Sequence, residues 1–361
     1  MNNTIANKIK ELREKSDFSL NELAEMVGLT KQSIHKFENG IVNPSNETLM
    51  KLADVFNVSF SYFFENLSQH KIDLKSIKFR EKSKIENKAF EIEVKEDVCT
   101  ALSKLLELED VMCESPTFYN PLEDVIISTD RDIEKAAKVL RKKWKIGNGP
   151  IKDVIETLEN KGLYVVEISR FEDFSGLCGI VNETIPIIVL NSYFKSIERK
   201  RFTALHELGH LVLQFSEDLS DNAIEKFCDK FAGAVLLVDE TLLEELGKNR
   251  TVISLAELRE LKELYGISIQ AIIMRARQTG LVSYETSNDW WKSYEEWNND
   301  ETKVNDFGNY NGIEKTRRFK KLLIRGLNER RISISKAAEL SGKKIDVLKK
   351  ELQSELIFNL N

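Results

Sequence analysis

Apolar residues recur every three or four positions over 5–12, 20–27, 34–37 and 49–56, with breaks at Gly28, at Asn39-Gly40 and at Asn43-Pro44-Ser45. That pattern predicts a compact set of short helices over 1–66. From Lys71 to Lys95 the chain turns charged. Ala89, Phe90, Val94, Val98, Ala101, Leu105 and Leu108 then keep helical spacing, so a long connecting helix is expected within 67–125. Beyond Ile126 the pattern mixes. Residues 133–144 read as a helix, and Pro150 suits the first turn of another running to Asn160. Residues 163–168 have the β-branched and aromatic content of a strand, and 177–181 with 185–190 flank Asn182-Glu183-Thr184 as a hairpin. Helices return at about 196–214, 221–237, 254–264, 268–279 and 287–297. A polar, Asn/Gly-rich linker over 298–312 leads to a basic helical tail, 313–361. The expected fold is mainly α with a small β-sheet, in the α+β class, with domains at 1–66 and 126–297.

Composition narrows the function classes. The chain has 361 residues, enough for two or three cores, and 42% hydrophobic content excludes wholesale disorder. Lys+Arg (53) against Asp+Glu (59) leaves a net charge of −6, so any nucleic-acid contact must come from a local patch. Cys99, Cys113, Cys178 and Cys228 are scattered with no Cys-x-x-Cys pair, which reads as reduced thiols. No secretion signal opens the sequence, and apolar runs such as 185–190 and 231–238 are far too short to span a bilayer. A cytoplasmic protein without membrane contact is expected.

The run from Leu20 to Thr30 reads as two helices meeting at a glycine. Ala24 is small where the second helix crosses, Gly28 suits a left-handed turn, and Thr30 is a natural N-cap for the helix from Lys31 to Glu38. Ile34 and Phe37 face inward. Lys31, Gln32, Ser33, His35 and Lys36 are left to point outward, the residue types that bond base edges and phosphates in a major groove. With Asn39-Gly40, Pro44, Thr48-Leu49 and Leu52-Ala53, residues 19–64 resemble the phage-repressor (XRE) helix-turn-helix domains. The resemblance implies a five-helix domain, double-stranded DNA as partner, base readout by Lys31, Gln32 and Lys36 with Ser33 beside them, Asn39 near a phosphate, and binding as a homodimer. Residues 1–66 hold 7 Lys/Arg against 9 Asp/Glu, so the domain is not basic as a whole.

The second motif is His206-Glu207-Leu208-Gly209-His210, which takes two of the 4 histidines. Positions i and i+4 share a helical face, so both imidazoles can hold one ion, and Glu207 is placed to take a proton from water there. The next predicted helix offers Glu225 and Asp229 on one face. Cys228 reads as a buried thiol, with the metal within reach as the other reading. Phe202 through His210, with Glu225-Lys226-Phe227-Cys228-Asp229-Lys230-Phe231-Ala232, looks like the ImmA/IrrE-type metallopeptidases. Phe174-Ser175-Gly176 and Ile267 through Arg277 agree, so the resemblance covers roughly 130–285. It implies Zn²⁺ as cofactor on His206, His210 and Glu225, Glu207 as catalytic base, and a protein substrate such as a repressor or antitoxin. Asp229 stands where that family usually has Asn and is expected to partner a ligand histidine from outside.

Residues 312–361 carry 13 Lys/Arg against 6 Asp/Glu. Ile334 through Gly342 echoes Leu20 through Gly28, which leaves open a second helix-turn-helix-like unit; a basic helical pair packed on the metallopeptidase-like domain is the favoured reading. Trp290, Trp291, Tyr294 and Trp297 read as core or interface packing. Two functions remain open: a DNA-binding regulator with zinc-dependent peptidase activity, or a non-catalytic repressor whose zinc domain senses a signal or mediates dimerisation.

Overall fold

The computed structural model describes residues 3–16, 18–56, 58, 60–63, 72, 88–170, 174–193, 196–248, 250–298 and 307–352. The chain divides into two compact units. One comprises 1–71, 103–115 and 318–361; the other comprises 72–102 and 116–317. No helix among the described residues is long and apolar enough to cross a membrane.

The first unit opens with α1 (Asn3–Lys15), α2 (Leu20–Val27), α3 (Lys31–Glu38), α4 (Asn46–Phe56) and a single 3₁₀ turn at Phe60–Phe63. Ser19 caps α2 through a reciprocal pair with Glu22, and Gly28 closes it at φ +71°. Ile9, Leu23, Ile34, Leu49, Leu52 and Phe63 form the buried centre. Arg13 of α1 grips the buried Glu38 carboxylate with two hydrogen bonds of 2.6 and 3.0 Å, which locks the end of α3 onto α1. The fifth helix expected of this domain is thus a 3₁₀ turn.

The long connecting helix forms as α5 (Lys88–Met112), although much of the charged stretch before it lies outside the described residues. The basic tail forms α14 (Arg318–Asn328), α15 (Ile334–Ser341) and α16 (Ile345–Leu352). It belongs to the unit of α1–α4 and the end of α5, contrary to the favoured reading that it packs on the metallopeptidase-like domain. The physical reason is charge. Arg318 meets Glu109 at 2.8 Å, Arg325 meets Glu114 at 2.6 Å and Lys336 meets Glu107 at 2.5 Å, so three cations of the tail pair with carboxylates at or just past the end of α5. The tail does repeat helix-turn-helix geometry at a constant offset: Ser333 caps α15 as Ser19 caps α2, and Gly342 is left-handed as Gly28 is. Its second helix presents Ile345, Asp346 and Val347 where α3 presents Lys31, Gln32 and Ser33, and keeps a lysine, Lys350, at the place of Lys36, so the turn is copied with a different exposed set.

The second unit contains α6 (Asp130–Lys143), α7 (Val154–Asn160), β2 (Tyr164–Ile168), β3 (Gly176–Val181), β4 (Ile185–Asn191), α8 (Ile197–Val212), α9 (Asp221–Leu236), α10 (Asp239–Leu246), α11 (Leu255–Tyr265), α12 (Ile269–Gln278) and α13 (Tyr284–Asn298). β4 lies between β2, which is parallel to it, and β3, which is antiparallel, with Val165 opposite Ile188 and Cys178 opposite the same residue. The hairpin turns at Asn182 and Glu183, both at positive φ. A two-residue parallel pair, β1 (Ile126–Ile127) with β5 (Gln214–Phe215), was not legible as strands. α7 begins later than Pro150 suggests because the Asp153 carboxylate caps it by accepting the Glu156 N–H.

α9 runs between α6, α8 and α12. Gly209 on α8 sits where any side chain would meet Cys228 and Phe231 of α9, so the two helices touch through it. Gly233 of α9 leaves room for Arg275 of α12, which reaches across to pair with Glu134 of α6. Buried Arg201 on α8 pairs with buried Glu314 and donates to the carbonyls of Gly266 and Ile151. Glu314 also accepts the Val154 and Ile155 N–H groups that open α7, and Tyr310 stacks over Arg201. Residues 307–317 are therefore fixed to this body; of the linker expected over 298–312, residues 299–306 lie outside the described residues. Trp290, Tyr294 and Phe307 stack in series, with centroids 5.4 and 5.3 Å apart, which agrees with packing. The side chain of Trp297 lies outside the described residues.

Candidate metal centre

Ser196 caps α8 and sets its phase, which places His206 and His210 one turn apart on the face toward α9. Glu225, in the second turn of α9, faces both. The two Nε2 atoms are 3.1 Å apart, and the Glu225 carboxylate oxygens lie 3.4 Å from each. A tetrahedral zinc with ligand distances of about 2.0–2.1 Å puts neighbouring ligand atoms about 3.3–3.4 Å apart, so these three donors already stand at the edges of such a tetrahedron. The donor set of two imidazoles and a carboxylate suits zinc and leaves a fourth position open. Among the described residues this is the group of His, Cys, Asp and Glu that could hold a metal.

The outward nitrogens are also engaged. Asp229 Oδ1 lies 2.7 Å from Nδ1 of His206. Cys228 Sγ lies 2.9 Å from Nδ1 of His210, a contact that sequence reading did not assign. His210 and Glu207 are buried, with side-chain exposure of 1% for His210. Burial by itself pushes the His206 imidazole down, but its hydrogen bonds to Asp229 and Glu225, with the Glu207 charge nearby, outweigh that and hold it at about 9.

Gly176, the first residue of β3, lies directly against this helix: a side chain there would collide with Thr203 and crowd Glu207. β3 is one of the two outer strands of its three-stranded sheet, β2 being the other. On the same face of α8 as His206, and beginning one turn before it, a cavity of about 560 Å³ is walled by Phe202, Ile269, Met274, Tyr294 and Phe307, with Arg199 among its polar lining residues.

In the first unit Lys31, Gln32, His35, Lys36 and Asn39 are exposed and Ser33 is half-buried, while Ile34 and Phe37 are buried. Asn39 closes α3 by donating Nδ2–H to the His35 carbonyl at 2.7 Å. Ser33 Oγ is 2.9 Å from Thr30 Oγ1, so part of its hydrogen-bonding capacity is taken by the cap.

Comparison with known proteins agrees with both halves. The Helix-turn-helix family matches residues 9–63, and the IrrE N-terminal-like domain, a peptidase family, matches residues 159–277. The chain joins an XRE-type helix-turn-helix domain to an IrrE-like domain. An Archaeoglobus fulgidus protein named as an uncharacterized HTH-type transcriptional regulator is 39% identical over 57 residues, 16% of this chain and 80% of that protein. A Pyrococcus abyssi protein named as an HTH-type transcriptional regulatory protein is 23% identical over 181 residues, 50% of this chain and 51% of its own length. The HTH-type transcriptional regulator ImmR of Bacillus subtilis is 29% identical over 59 residues, 16% of this chain and 46% of that regulator. The chain thus spans about half the length of the Pyrococcus and Bacillus relatives it matches.

Proposed function

We propose that this helix-turn-helix regulator binds an operator as a homodimer through α3 and that its IrrE-like domain is a zinc-dependent peptidase acting on a protein substrate. One observation carries the catalytic half: the convergence of His206 Nε2, His210 Nε2 and the Glu225 carboxylate at separations of 3.1 and 3.4 Å, beside a buried Glu207. His206, His210 and Glu225 would hold the zinc, which supplies Lewis acidity toward water and the scissile carbonyl. Glu207 takes a proton from the attacking water and returns it to the leaving amine nitrogen. β3, as an outer strand starting beside Glu207, offers backbone N–H and C=O groups to an extended substrate segment. The neighbouring apolar cavity can take one of that segment's side chains.

For the DNA half, Lys31, Gln32, Ser33 and Lys36 read bases and Asn39 approaches a phosphate. The first test is zinc content of the purified full chain beside His206→Ala, by elemental analysis. About one zinc per chain in the wild type, lost in the variant, is expected. Glu207→Gln should then keep its zinc and its operator binding while losing the regulatory effect. Regulation that survives in Glu207→Gln would sink proteolysis as its cause and leave a repressor whose zinc domain senses or dimerises.

A further inference from the structure

α9 engages the centre at three positions within one turn. Glu225 faces both Nε2 atoms, Asp229 holds Nδ1 of His206, and Cys228 brings Sγ to 2.9 Å from Nδ1 of His210. Resting on the metal-site reading above, we propose that Cys228 is the positioning residue of His210: its sulfur accepts the Nδ1–H and so holds the ring with Nε2 turned toward the zinc.

The chemistry requires such a partner. A neutral imidazole that binds a metal through Nε2 carries its proton on Nδ1, and that N–H needs an acceptor. The His210 side chain is 1% exposed, so water has little access, and an unmade bond there would cost the desolvation of a buried donor. Cys228 is fully buried on the facing helix. Gly209 keeps the approach open, since a side chain on it would meet Sγ at 3.3 Å. The two ligand histidines are therefore oriented unequally, one by a charged carboxylate and the other by a weakly accepting sulfur. The competing reading treats Cys228 as a small apolar filler between α8 and α9.

The two readings make opposite predictions for two small substitutions. Cys228→Ala keeps an apolar side chain and removes the acceptor; Cys228→Ser keeps an acceptor and removes the apolar sulfur. Zinc affinity of the full-length protein, measured by competition with a chromophoric chelator, is expected to fall about 10–100-fold in Cys228→Ala, the usual effect of removing an outer partner of a ligand. Cys228→Ser should restore most of it, and the absorption bands of the cobalt(II)-loaded protein should shift in Cys228→Ala but not in Cys228→Ser. Cys228→Val provides a second acceptor-free variant should the alanine protein fail to fold, and far-ultraviolet circular dichroism checks each. Wild-type affinity in Cys228→Ala or Cys228→Val, with loss in Cys228→Ser, overturns the proposal and assigns the thiol to packing. A wild-type chain that binds no zinc overturns the metal-site reading itself, a result distinct from a zinc-binding wild type that is indifferent to Cys228.

Discussion

At the scale of single residues, the centre is a contest between burial and charge. Burial opposes a protonated His206, yet Asp229, Glu225 and Glu207 hold its imidazole at about 9, above the ordinary 6.5. A histidine raised on folding adds stability that is complete below its unfolded value and disappears as pH rises through the folded one. The melting temperature of the chelator-treated protein should therefore decline between pH 6.5 and 9, and His206→Gln should flatten that slope. Equal slopes in the two proteins would place the proton elsewhere. His206, Glu207 and His210 were legible because four positions make one helical turn. Glu225 and Asp229 were legible as one face of the next helix, and the choice of Glu225 as third ligand came only with the resemblance. The part played by Cys228 was not legible, because it depends on how α8 and α9 cross at Gly209 rather than on spacing along either helix.

At the scale of elements, α3 shows how local chemistry sets a helix and tertiary packing aims it. Thr30 caps the start, Ile34 and Phe37 bury one face, and Arg13 holds Glu38 at the end. What remains exposed is the set Lys31, Gln32, His35 and Lys36. Gln32→Ala with Lys36→Ala should abolish sequence-specific footprinting while leaving the fold intact, since neither side chain is buried. Full protection in that double variant would place the reading surface on another element. Gly28 sits at φ +71° with open space around its Cα, so Gly28→Ala is strained by backbone alone. About 1–2 kcal/mol of lost stability is expected, measured by urea unfolding of the full chain. The tail warns against reading function from the turn alone. Ser333 and Gly342 rebuild the same corner, but Ile345, Asp346 and Val347 then stand where α3 has Lys31, Gln32 and Ser33, and only Lys350 matches Lys36 among them.

At the scale of the molecule, two units are assembled from discontinuous stretches of chain. The second is closed by a buried ion pair between Glu314, which also caps α7, and Arg201, which lies on the same helix as His206 and His210. Removing one member of a buried pair strands the other, so Glu314→Ala should cost about 3–5 kcal/mol. Calorimetry should show the transition of the sheet-bearing unit lowered, with operator binding retained at low temperature. A variant whose melting matches the wild type would show that residues 307–317 are held by other contacts. If zinc binds as proposed, it should raise that same transition with the logarithm of its free concentration once that exceeds its dissociation constant.

The two motifs, their helices and the α+β class followed from the sequence alone, because caps, glycine turns and helical spacing act over a few residues and leave a local signature. Helix phase likewise foretold which face of α3 is exposed and that His206 and His210 share a face. Only the tertiary structure decided that Glu225 stands 3.4 Å from both imidazoles, that the Cys228 thiol meets one of them at 2.9 Å, and that the basic tail joins the unit of α1–α4. Those outcomes depend on pairings between residues 18 to more than 200 positions apart, such as His210 with Cys228 and Glu109 with Arg318. Burial and charge neutralisation choose such partners in space, and no period along the chain records the choice.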